Sequence, residues 1–83
     1  MKLLYFAWLK QRTGISEETV SPPDDVRTVA ALVDWLRLRG PGYADAFADL
    51  RPIRVAVNQE FAAFDSAIGP DDEIALFPPV TGG

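Results

Sequence analysis

Only one segment of this chain carries the full spacing of an amphipathic helix, and that limits the possible folds more than any other feature. Val29, Leu32, Val33 and Leu36 stand at i, i+3, i+4 and i+7, which aligns them on one stripe. The predicted helix runs from Val29 to Arg39, with Thr28 placed to cap its first turn and Gly40-Pro41 ending it. Asp24 and Asp25 precede it, while Arg37 and Arg39 lie in its last turn, the charge order that suits the helix dipole. A weaker helical stretch follows from Tyr43 to Leu50, with Phe47 and Leu50 as its buried residues.

The other apolar residues repeat at strand period. Lys2 to Leu9 reads as a central strand. If Lys2 faces out, Leu4, Phe6 and Trp8 share the outer face, and Leu3, Tyr5, Ala7 and Leu9 the inner one. A short strand is expected at Glu17 to Ser21, stopped by Pro22-Pro23. Ile53 to Asn58 alternates, with Ile53, Val55 and Val57 inward, and Asn58-Gln59 is a turn leading to Phe61 and Phe64. Gly69-Pro70-Asp71-Asp72 is a turn by composition, and Glu73 to Phe77 is the last strand, with Ile74 and Leu76 inward and Ala75 and Phe77 outward. The order ββα, a helical stretch, then ββ implies a two-layer α+β domain with the main helix on one face of a mixed sheet.

Composition narrows the chemistry. With no Cys and no His in 83 residues, thiolate or imidazole metal sites, disulfides and imidazole-dependent triads are excluded. A chain this short builds a modest core and has little room for a self-contained active site. Eight basic against twelve acidic residues give a net charge of −4, the wrong sign for a nucleic-acid partner. The apolar run Leu3 to Leu9 is too short to span a membrane and lacks a signal-peptide pattern, so the expected compartment is the cytosol. The carboxylate pairs Glu17/Glu18, Asp24/Asp25 and Asp71/Asp72 fall in edges and turns and read as solvated or capping groups.

The last six residues differ in kind. Pro78 and Pro79 stiffen the exit from the sheet, and Pro78 to Gly83 spans at most about 20 Å when extended. Gly82 and Gly83 lack side chains, so such an end threads a channel too narrow for any other residue. The domain therefore divides into residues 1–77 and a tail, 78–83. Its terminal carboxylate is a poor electrophile until a second enzyme activates it, for instance by adenylation. A frayed polar tail is the other reading that these residues leave open. The outer face, with Leu4, Phe6, Trp8, Ala56, Ala75 and Phe77, reads either as a partner surface beside the tail or as a face covered by a loop or by the second helical stretch.

The ending Asp71-Asp72-Glu73-Ile74-Ala75-Leu76-Phe77-Pro78-Pro79-Val80-Thr81-Gly82-Gly83, together with Ala56-Val57-Asn58-Gln59, Phe64-Asp65, Leu3 to Ala7 and Thr28 to Leu32, resembles the sulfur-carrier small subunits of molybdopterin synthase. The resemblance implies a ubiquitin-like β-grasp fold. It also implies that an E1-like activating enzyme uses ATP to adenylate Gly83, that a persulfide sulfur donor converts it to a thiocarboxylate, and that the tail enters the large catalytic subunit. There the sulfur passes to cyclic pyranopterin monophosphate in molybdenum cofactor biosynthesis. The small subunit would be non-catalytic and bind no cofactor or metal of its own, within a heterotetramer. By the same likeness Phe6, Phe61 and Phe77, with Pro78, Pro79, Val80 and Thr81, would contact the large subunit, and Gly82 and Gly83 would carry the chemistry. Trp8 and Gly40-Pro41-Gly42 depart from the family pattern. A carrier for thiamine synthesis or tRNA thiolation, a protein modifier that forms isopeptide bonds, and an interaction domain with an inert tail are the competing readings; Pro78-Pro79 counts against the first.

Overall fold

The computed structural model describes residues 1–79. Eight elements follow in order: β1 (Lys2–Tyr5), α1 (Trp8–Thr13), β2 (Glu17–Thr19), α2 (Val29–Arg37), α3 (Pro41–Ala46), β3 (Arg54–Val57), β4 (Glu60–Ala62) and β5 (Glu73–Phe77). The strands form one sheet in the order β2-β1-β5-β3-β4. β1 and β5 run parallel at its centre, and every other pair is antiparallel. This α+β arrangement, with α2 against one face of a mixed sheet, is the β-grasp expected above.

The stripe of α2 does what its spacing implies. Val29, Leu32, Val33 and Leu36 are fully buried, and the Thr28 hydroxyl accepts the Ala31 amide at 3.1 Å. They meet the inner sheet face through Leu3, Tyr5, Val55, Ile74 and Leu76. Burying each such side chain stabilises the fold by about 1.5–3 kcal/mol. One polar group helps close this layer. Glu18 of β2 accepts the hydroxyls of Tyr5 and Tyr43 at 2.8 Å each and Arg39 Nη1 at 2.8 Å, tying the sheet edge to the chain beyond α2 and to α3.

Two expectations need correction. The first strand stops at Tyr5, and Trp8–Thr13 is helical. Alternation over Lys2 to Leu9 was compatible with one strand, but Leu9 is followed by Lys10-Gln11-Arg12, good helix formers. A helical turn also lets Leu9 bury completely. Ala7, expected inward, is exposed with φ 55°, ψ −131°, and the Leu9 amide donates to the Phe6 carbonyl at 3.2 Å across this tight turn. Gly14, at φ 85°, ends α1. The second correction is the edge strand β4, where sequence showed only a turn. Three residues are too few to display a period.

Smaller differences are shifts of boundary. β2 ends at Thr19, and α2 ends at Arg37, two residues before the expected Arg39. α3 begins at Pro41 rather than Tyr43 and ends at Ala46, although Phe47 is fully buried as foreseen. The Gly40-Pro41-Gly42 departure has a packing reason: a Cβ on Gly42 would lie 2.6 Å from the Arg12 carbonyl oxygen. Glycine is what lets α3 sit against the end of α1.

Candidate docking surface beside the C-terminal exit

The parallel pairing of β1 with β5 decides where the tail leaves. Both strands finish at the same end of the sheet, so Phe77-Pro78 exits beside the β1–α1 junction, and the Phe6 amide donates to the Leu76 carbonyl at 3.2 Å. A groove of about 860 Å³ opens there. Phe6, Ala7 and Trp8 line it from the β1–α1 junction, Pro52 from the approach to β3, and Ala75, Phe77, Pro78 and Pro79 from β5 and its exit.

The outer sheet face continues the groove. Strand register places Leu4, Ala75, Ala56 and Phe61 in one row across four strands. The alanines leave the middle of the row low, between Leu4 at one end and the Phe61 ring at the other. Phe61 is 86% exposed and Phe6 47%; Phe77 is half-buried, with its ring centroid 6.0 Å from that of Phe61. No helix or loop of the described residues takes the place of a partner over these two rings. The expected residues Phe6, Phe61, Phe77, Pro78 and Pro79 therefore border one connected apolar surface. Val80, Thr81, Gly82 and Gly83 lie outside the described residues.

Trp8 reaches the groove from α1 and not, as expected, from an extended strand. The Arg12 guanidinium stacks 4.6 Å from its ring centroid and lies 3.6 Å from Asp45. Pro52 was not foreseen in the groove, since a proline before a strand signals only a boundary. Arg54 borders this surface as well, and the signal for it is in the sequence: alternation with the inward Val55 turns it outward, in register with Phe77. Nearby, hydrogen bonds from the Arg51 side chain and amide hold the Asp49 carboxyl at about 2.

The groove lining contains no titratable side chain. No group of His, Cys, Asp and Glu among the described residues could hold a metal ion, and no helix among them is long and apolar enough to cross a membrane. Apolar contact is the work such a lining suits.

Known proteins match this chain over its full length. The family model described as "ThiS family" matches residues 3–83. The molybdopterin synthase sulfur carrier subunit of Haemophilus influenzae is 35% identical over 83 residues, covering 100% of this chain and 99% of that protein. The human protein of the same description is 36% identical over 88 residues, covering 100% and 93%. Among solved structures, small archaeal modifier protein 1 from Haloferax volcanii superposes with a TM-score of 0.75 at 33% identity, covering 100% of this chain and 98% of that one.

Proposed function

This chain belongs to the ThiS family, and from that premise we propose that it is the sulfur carrier subunit of a molybdopterin synthase. The observation that carries the reading is the apolar surface from Phe6 through Phe77 to Phe61, opening where the chain leaves β5 toward Gly82-Gly83. A partner gripping this surface also receives the tail. The working division is a docking domain, residues 1–77, and a delivery arm, residues 78–83.

In this reading the Gly83 carboxylate attacks the α-phosphorus of ATP on the activating enzyme, and pyrophosphate leaves. A persulfide sulfur then attacks the acyl carbon and displaces AMP. A second thiol cleaves the resulting S–S bond, leaving a thiocarboxylate on Gly83 and a disulfide on the donor side. The large subunit holds cyclic pyranopterin monophosphate and does the catalysis; this chain supplies sulfur. Phe6, Phe61, Phe77, Pro78 and Pro79, with Val80 and Thr81, bind that subunit. Covering a ring such as Phe61 contributes up to about 2 kcal/mol.

The likeness to small archaeal modifier protein 1 favours a second reading, a protein modifier whose C-terminus forms isopeptide bonds. Both chemistries begin with adenylation and part at the nucleophile. Intact-mass analysis after incubation with the activating enzyme, ATP and a persulfide donor separates them. A carrier ends at Gly83 and gains about 16 Da as one oxygen becomes sulfur, whereas a modifier appears as adducts on other proteins. No mass change, or a mature chain extending past Gly83, would count against both.

A further inference from the structure

Arg54 stands out because it is an exposed cation at the margin of the apolar surface, in register with Phe77. It lies on the outer face of β3, directly across from Phe77 in the strand register, where β5 ends. Its Nη1 donates to the Arg51 carbonyl at 3.0 Å and the Ile53 carbonyl at 3.3 Å. These bonds orient the side chain without neutralising it, and Nε and Nη2 form no hydrogen bond with the described residues. Two neighbouring arginines differ. Arg51 pairs with Asp49 at 2.9 Å and Arg12 with Asp45 at 3.6 Å, while among the described residues no carboxylate lies within 4.0 Å of Arg54.

A partner that covers Phe77 and Phe61 also removes water from Arg54. Desolvating a guanidinium with no counter-charge is costly, and a carboxylate placed opposite converts that cost into attraction. An apolar face alone discriminates poorly between partners, whereas a fixed charge at its margin rejects every surface that fails to answer it. We propose that Arg54 is the charge-selecting residue of this interface, and that the large synthase subunit brings a carboxylate against its Nε and Nη2 when it closes over Phe77. This inference rests on the docking reading above and adds to it the sign of charge that the partner must present at one place.

The test is calorimetric titration of the full-length chain with the large synthase subunit of the same organism, at low and moderate salt. Arg54→Glu is expected to weaken binding by about 30-fold, since it sets like charges face to face. Arg54→Met keeps an apolar stem and is expected to weaken binding by about threefold to tenfold and to flatten the salt dependence. Arg54 is exposed, so both variants should melt with the parent. Phe77→Asp is the control for the surface itself. If Phe77→Asp weakens binding and Arg54→Glu does not, the charge assignment is overturned and the docking surface stands. If neither changes affinity, the docking surface fails and the assignment with it. Equal losses for Arg54→Glu and Arg54→Met, unaffected by salt, would show a role in shape alone and would also overturn the proposal.

Discussion

Glu18 shows how one residue in a three-residue strand holds distant parts of the chain together. Burial alone would raise its carboxyl, but hydrogen bonds from Arg39, Tyr43 and Tyr5 outweigh that effect and hold it below its ordinary value near 4.5. Burial and the adjacent carboxylate push both tyrosine hydroxyls upward, so they remain donors at neutral pH. A carboxyl depressed by folding contributes its full stability above its unfolded value, and that contribution is lost as the pH falls through the lowered folded value. Glu18→Gln is therefore expected to cost about 1–2 kcal/mol at neutral pH. It should also flatten the acid side of the stability profile below pH 4.5. Urea denaturation across pH tests this, and an acid limb identical to the parent's would contradict it. Sequence marked Glu18 only as half of a solvated carboxylate pair, because its partners lie 13, 21 and 25 positions away.

Between elements, the β3–β4 hairpin turns on two residues with positive φ, Asn58 at 51° and Gln59 at 70°. That is the type I′ pattern, in which Asn suits the first position and Gly the second. Gln59→Gly is expected to stabilise the domain by about 1 kcal/mol through relief of strain. Asn58→Gly relieves a similar strain yet is expected to destabilise by about 1 kcal/mol. It removes the amide that donates to Asp72 at 2.9 Å and the carbonyl that accepts from the Glu73 amide at 3.0 Å. Equal stabilisation by both variants in chemical denaturation would show that this side-chain bridge to the start of β5 contributes nothing. The turn was legible as Asn58-Gln59, but the strand after it was not. Phe61 was expected at the interface only by family likeness, and the register Ala56↔Phe61 is what places it on the outer face.

At the scale of the whole molecule, the first and last strands lie side by side and parallel, so the apolar groove and the exit from β5 share one end of the sheet. Gly82→Val leaves the described core untouched and is expected to melt with the parent. It should lower sulfur delivery by at least about a hundredfold if, as proposed, the reacting end threads a channel that admits only bare backbone. Single-turnover assay of the preloaded carrier with the large subunit tests it, and normal turnover would refute the channel argument. Within the chain itself, residues near one another in sequence determined the α2 stripe and its Thr28 cap, the inward and outward faces of β3 and β5, and the chemistry open to a Gly-Gly end. Periodicity and capping are local geometry, readable wherever a segment is long enough to repeat. The tertiary structure alone decided that β1 pairs with β5, that the chain after Tyr5 turns into a helix carrying Trp8 to the groove, and that Arg54 stands opposite Phe77. Each of those depends on which distant segment lies alongside, and that choice is made by burying the core as a whole.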